Sequence, residues 1–130
     1  MMFSGSAIEF NKTMVLMYAG QDYNTNTQTI NIATSTDGVN NFKKYAYNPV
    51  IDIHSPNFRD PKVFWYEKGS YYVNVIVLSD IRKVRFYKST DLIHWTILSD
   101  FGPAGSIPGV YECPDVCLNS CFLIFYSYLK

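Results

Sequence analysis

One-signed charge, paired cysteines, helical periodicity and long apolar runs are all scarce in this chain, and each scarcity removes a class of function. Eleven basic side chains balance eleven acidic ones across 130 residues. With no basic stripe and no acidic tail, a nucleic acid or other polyionic partner is not expected. The cysteines number three, an odd count that builds no disulfide framework and leaves the redox compartment open. Cys113, Cys117 and Cys121 are four apart, the spacing of a metal site on one helix face. Their surroundings read as strand and no His is near, so buried thiols are the better reading and no metal is expected. The apolar tail from Cys121 to Leu129 falls short of the roughly 18 residues a membrane helix needs, so no membrane partner is expected. Met1-Met2 runs into Phe3-Ser4-Gly5-Ser6 with no basic region or apolar stretch, so no signal peptide is read there. Asn11-Lys12-Thr13 is a glycosylation sequon that matters only in a secreted chain.

What is abundant is β-forming side chain. Hydrophobic residues make up 48% of the chain and aromatics 17%, with eleven Tyr and nine Phe. That is enough for one domain with a real core, and most of the rings belong in it. No stretch holds a 3.6-residue period, whereas runs rich in Val, Ile, Tyr and Phe alternate with Gly, Asn and Asp. One unit of four strands reads Phe3 to Phe10, Thr13 to Ala19, Thr29 to Ser35 and Phe42 to Tyr47. A second reads Lys62 to Tyr66, Tyr71 to Leu78, Val84 to Lys88 and Trp95 to Leu98, with a hairpin turn at Glu67-Lys68-Gly69-Ser70. A third begins at Tyr111 and continues with Cys121 to Tyr128. Gln21 to Gln28 reads as an exposed loop, and Ile51 to Asn57 and Gly102 to Gly109 as connections between units. Ser35-Thr36-Asp37 recurs as Ser89-Thr90-Asp91 after 54 positions, each time at the end of a strand and before an aromatic. A period of about 40 to 55 residues with several strands per unit is a propeller signature. The plainer alternative is a generic turn, since Ser and Asp favour turns for local reasons.

Three polar motifs open strands at similar spacing. They are Phe3-Ser4-Gly5-Ser6, Phe58-Arg59-Asp60-Pro61-Lys62-Val63 and Tyr111-Glu112-Cys113-Pro114-Asp115. Phe3 lies 57 positions before Asp60, and Asp60 lies 52 before Glu112. First strands of propeller blades line a central channel, so the motifs converge there. Two converging carboxylates are what acid–base chemistry on a glycosidic bond requires. Arg59 beside Asp60 would keep that carboxylate ionised, and apolar neighbours of Glu112 would favour its protonated form. A structural Arg59–Asp60 ion pair is the competing account. His54 and His94 accompany no nucleophile motif and read as loop or surface residues.

The same three motifs, in order, resemble glycoside hydrolase family 32, the invertase, inulinase and levanase family. Its members carry a five-bladed propeller followed by a β-sandwich. Phe58 to Tyr66 is most similar to yeast and fungal invertase-type members, and the likeness runs from Phe3 to about Asp115. The resemblance implies a β-fructofuranosidase acting on sucrose or fructan with retention and without metal or organic cofactor. It implies Asp60 as transition-state stabiliser and Glu112 as general acid/base. Arg59 would bind sugar and hold the Asp60 carboxylate. Cys113 would pack against the site, and Phe3 and Ser4 would help form the fructose pocket.

The departures are equally specific. The family nucleophile is an Asp in a Trp-Met-Asn-Asp-Pro-Asn-Gly type motif, and none occurs in these 130 residues. Residues 1–130 therefore read as part of a propeller domain, covering blades 2, 3 and the start of 4, with 116–130 a divergent tail. That is a little over two antiparallel four-stranded blades of five, with the other blades and the sandwich expected in a full-length protein. Two alternatives stand beside the enzyme: a non-catalytic remnant or carbohydrate-binding relic, and an arabinan- or xylan-cleaving five-bladed relative. Compartment stays open, with secretion and the vacuole both compatible with the family.

Overall fold

The computed structural model describes residues 1–105, 110–119 and 122–129, with side chains through Val116. Among the described residues eleven antiparallel strands form three sheets. The first sheet runs β1 (Met2–Phe10), β2 (Thr13–Asp22), β3 (Thr27–Ser35) and β4 (Lys43–Lys44), with β5 (Ile51–Ser55) also on β3. The second is β6 (Phe58–Tyr66), β7 (Tyr71–Leu78), β8 (Lys83–Ser89) and β9 (Thr96–Phe101). The third pairs β10 (Tyr111–Asn119) with β11 (Phe122–Leu129). Single 3-10 turns at Glu67–Gly69 and Ser79–Ile81 join β6 to β7 and β7 to β8. Among the described residues no helix is long and apolar enough to cross a membrane.

The middle sheet is apolar on both faces, which is why the sheets stack. Along β7, Val73 and Val75 face one side while Ile76 and Leu78 belong to the other, the alternation of an extended strand. The Ile76 face meets Val15, Met17, Ala19, Ile30 and Ile32 of the first sheet around the fully buried Phe58. The Val75 face packs with Val84 and Phe86 and reaches Val116 on β10. Buried aliphatic side chains each contribute about 1.5–3 kcal/mol, so these two seams hold the sheets together. Strand β6 lies against β1 on one side and β10 on the other, which brings the three opening strands side by side. The chain is an all-β, partial propeller.

Several boundaries differ from expectation. The run Phe42 to Tyr47 is strand only at Lys43–Lys44, and Ile51 to Asn57 is largely strand β5 rather than connection. The outer strand is broken at Pro49, which has no N–H for a ladder. The Asn48 side chain fills the gap: its Oδ1 accepts from the Ile32 N–H at 2.9 Å and its Nδ2 donates to the Ile32 carbonyl at 2.8 Å. The supposed loop Gln21 to Gln28 is a hairpin with a short tip, because β2 extends to Asp22 and β3 starts at Thr27. The connection Gly102 to Gly109 is described only through Gly105. Cys121 lies outside the described residues, as do the side chains of Cys117 and β11.

The Ser-Thr-Asp repeat ends the third strand of both complete sheets. In each, the Ser hydroxyl bonds the Asp carboxylate, at 2.6 Å for Ser35–Asp37 and 2.9 Å for Ser89–Asp91. The two copies are the same structural part, and the turn reading and the repeat reading are both correct.

Candidate active site

The site is built by one backbone device used three times. Register along β1 slips between Met2 and Gly5, so Phe3 and Ser4 together face one residue of β2. The slip recurs on β6 between Arg59 and Lys62, around Asp60-Pro61, and on β10 between Glu112 and Asp115, around Cys113-Pro114. Such a bulge kinks the strand and re-aims a side chain. It also tolerates Pro61 and Pro114, whose missing N–H would break a regular ladder. Asp60 and Cys113 sit at φ 58° and 52°. A left-handed backbone at residues other than Gly is a local cost of the kind concentrated at functional sites.

The slips correct the spacing read from sequence. Asp60 is equivalent to Phe3, as its 57-residue separation implied, but its counterpart on β10 is Cys113, 53 positions on, rather than Glu112. Glu112 shares its rung with Arg59. That offset sets the polar contacts.

The Asp60 carboxylate is 6% exposed and is held from both neighbouring strands. Ser4 Oγ donates to Oδ1, and the backbone N–H of Cys113 donates to Oδ2 at 2.8 Å. Two residues further along β1, Ser6 Oγ donates to the Pro61 carbonyl at 2.8 Å and accepts from the Val63 N–H at 2.9 Å. Ser79 Oγ donates to the carbonyl of Tyr111, anchoring β10 just before the motif. Lys62 and Asp115, on equivalent rungs, form an ion pair at 3.0 Å. Hydrogen bonding from that ammonium lowers the Asp115 pKa from its ordinary value.

Arg59 does not pair with the adjacent Asp60. Consecutive strand residues point to opposite faces, and the turn at Asp60 separates them further. The guanidinium instead reaches across to the next strand, with Nη2 3.6 Å from Glu112 Oε1. Its Nη1 donates to Gln28 Oε1 at 3.3 Å and to Asn57 Oδ1 at 3.2 Å. Its buried Nε has no hydrogen-bond partner among the described residues. Glu112 therefore faces a cation rather than the purely apolar wall read from its sequence neighbours, with its side chain 30% exposed.

Phe3, Ser4, Arg59, Asp60, Glu112 and Cys113 thus lie on three adjacent strands. Cys113 contributes its backbone; its side chain is exposed rather than buried as expected of the thiols. Gln28 and Asn57 were not among the candidates. Gln28 is buried, in phase with Ile30 and Ile32 along β3, and that two-residue alternation was the available signal. His54 and His94 are 86% exposed and pair locally with Asp52 and Asp91. Among the described residues no three His, Cys, Asp or Glu side chains gather as a metal site. A pocket of about 310 Å³ on the first sheet, lined by Met2, Tyr18, Gly20, Thr29, Asn31 and Lys44 among others, shares no residue with the carboxylates.

Stacked antiparallel sheets whose opening strands gather polar side chains at matched bulges define a partial β-propeller. Residues 1–119 match the family described as Glycosyl hydrolases family 32 N-terminal domain, and the chain belongs to that family. It is 42% identical over 116 residues to an extracellular exo-inulinase of Meyerozyma guilliermondii, covering 88% of this chain and 22% of that protein. It is 49% identical over 85 residues to an invertase of Schizosaccharomyces pombe, covering 65% of this chain and 15% of the invertase. In structure it is similar to a β-fructofuranosidase of Bombyx mori, with a TM-score of 0.83 and 35% identity over 98% of this chain and 29% of the other. One form of that silkworm enzyme was solved with sucrose. The chain spans about a fifth of the exo-inulinase's length.

Proposed function

We propose that this chain is the part of a retaining β-fructofuranosidase that supplies two of its three carboxylates, acting on sucrose or a fructan. The observation that carries the reading is the junction of β6 and β10, where Asp60 takes a hydrogen bond from Cys113 and Arg59 meets Glu112. Asp60 keeps spare lone pairs on both oxygens, because a carboxylate offers about four acceptor positions and two are used by the protein. It accepts hydrogen bonds from fructosyl hydroxyls and stabilises positive charge as the ring becomes oxocarbenium-like. Glu112 protonates the leaving oxygen and then, as carboxylate, takes a proton from the attacking water. Arg59 positions Glu112 and offers donors to the sugar. Phe3 and Ser4 border the fructose pocket. No metal or organic cofactor enters the mechanism.

The covalent step requires a third carboxylate. These 130 residues contain no Asn-Asp-Pro motif, so the chain by itself cannot form the glycosyl-enzyme intermediate. Purified alone and given sucrose, inulin and levan, it is expected to release no fructose above background. Release at the rate of a complete relative would refute this. When the chain replaces the matching segment of the exo-inulinase, the chimera is expected to hydrolyse fructan, and Glu112→Ala to lower kcat by about 10²–10⁴-fold. A folded but inactive chimera would favour a carbohydrate-binding relic. Release of pentose from arabinan or xylan in place of fructose would reassign the substrate.

A further inference from the structure

The Arg59 guanidinium is held from behind by two uncharged oxygens. Gln28, near the start of β3, pairs with Ser55 of β5, the strand that leads into β6. That pairing carries Gln28 to the start of β6, where it is 6% exposed. A guanidinium only donates, so the oxygen of the carboxamide is the atom that faces it. Arg59 Nη1 donates to Gln28 Oε1 at 3.3 Å and to Asn57 Oδ1 at 3.2 Å. Asn57 is fixed in turn, its N–H donating to Ser55 Oγ at 3.1 Å and its carbonyl accepting from the Ser79 N–H at 3.1 Å. Ser79 Oγ donates to the carbonyl of Tyr111, the residue before Glu112. One frame thus anchors both the guanidinium and the strand that carries its acidic partner.

The front of the guanidinium is set more loosely. Nη2 stands 3.6 Å from Glu112 Oε1, close enough for an ion pair and too long for a hydrogen bond. A long cationic side chain does not stay back from a carboxylate unless something draws it the other way. The two amide oxygens supply that pull, and being uncharged they leave the cation unneutralised. The gap matters for an acid, because a carboxyl tied into a short charge-assisted pair stays a carboxylate and has no proton to give.

We propose that Gln28 is a positioning residue for general acid catalysis: by accepting from Arg59 Nη1 it holds the guanidinium at a distance where Glu112 is oriented yet free to protonate the leaving oxygen. The inference rests on the β-fructofuranosidase reading above. It adds a residue from a third strand to a site otherwise built on opening strands. In the step it serves, the nucleophilic carboxylate of the complete enzyme bonds to the anomeric carbon. The bond from that carbon to the leaving oxygen breaks, its electron pair stays with that oxygen, and Glu112 delivers the proton. Without the Gln28 oxygen the guanidinium closes on Glu112 and the proton is withheld.

The test uses the chimera with the exo-inulinase and compares two substrates. Sucrose loses an alkoxide that needs a proton, whereas 4-nitrophenyl β-D-fructofuranoside loses a phenolate that does not. Gln28→Leu is expected to lower kcat/KM for sucrose by about 10–100-fold, part of what a general acid contributes, and to change it for the aryl fructoside by less than about threefold. Gln28→Glu returns an oxygen at the same reach and is expected to recover at least about a third of the parent value on sucrose. Should Gln28→Leu not fold, Gln28→Asn, whose oxygen falls one carbon short of Nη1, is expected to show the same selective loss. Equal losses on both substrates, no recovery in Gln28→Glu, or sucrose activity within about twofold of the parent overturn the positioning role. A chimera already inactive with Gln28 in place overturns the functional reading, and this role with it.

Discussion

Replacing Asp60 by Ala tests the junction on which the functional reading stands. The perturbation removes a carboxylate that is 6% exposed and leaves two donors, the Ser4 hydroxyl and the Cys113 N–H, without their acceptor. Each hydrogen bond to a charged group is worth about 1.5–3 kcal/mol, part of which returns because the carboxylate no longer has to be desolvated. The left-handed backbone at φ 58° adds to the loss, since Ala tolerates it less well than Asp, by about 1 kcal/mol. The sum is a destabilisation of roughly 2–4 kcal/mol. Asp60→Gly separates the contributions: it loses the same hydrogen bonds but relieves the backbone, so it should be about 1 kcal/mol more stable than Asp60→Ala. Asp60→Asn keeps the shape, a left-handed preference and one acceptor oxygen, and should cost about 1 kcal/mol. Urea unfolding followed by the fluorescence of Trp65 and Trp95 reads all three. An Asp60→Ala chain within about 0.5 kcal/mol of the parent would refute the claim that this carboxylate joins the three inner strands.

Two further perturbations address the seam and the turns. Ser6→Ala removes the hydroxyl that serves both the Pro61 carbonyl and the Val63 N–H, and should cost about 1–3 kcal/mol of stability in the same urea experiment. An unchanged midpoint would show that water replaces it. In the repeat turn, Ser35 and then Asn41 donate to Asp37 and hold its pKa at about 2, against an ordinary 3.8. A folded-state pKa below the unfolded one stabilises above pH ~4 and is lost as the pH falls toward 2. Asp37→Asn should therefore be less stable at neutral pH and show a shallower decline between about pH 4 and 2. At Asp91, partial burial opposes the same kind of lowering, but the hydrogen bonds from His94, Ile93 and Ser89 outweigh it. Parallel acid curves for parent and variant would remove Asp37 from the account.

That the three polar motifs open strands could be read before any coordinates, for a definable reason. The polar motifs interrupt apolar strands, and interruptions such as Asp60-Pro61 or Cys113-Pro114 are conspicuous where a ladder would favour Val or Ile. Gln28 was overlooked because the Asn- and Thr-rich residues before it read as loop. Its burial follows from the phase of Ile30 and Ile32, which becomes informative only when β3 is extended back to Thr27. The outer strand was misplaced because Pro49 hides the continuation at Ile51, and the Asn48 side chain that bridges the break is a tertiary contact.

Sequence alone determined the β class, the repeating unit and the residue types gathered on the inner strands, because alternation, turn chemistry and motif spacing are local properties of the chain. Tertiary structure decided the pairing. The matched bulges of β6 and β10 set Asp60 level with Cys113 and Arg59 level with Glu112, so Arg59 meets the carboxylate of the next strand and Asp60 is held by a hydroxyl on one side and a backbone N–H on the other. A difference of one residue in register redirects every side chain near it, and spacing along a chain does not report which residue of each motif sits in the bulge.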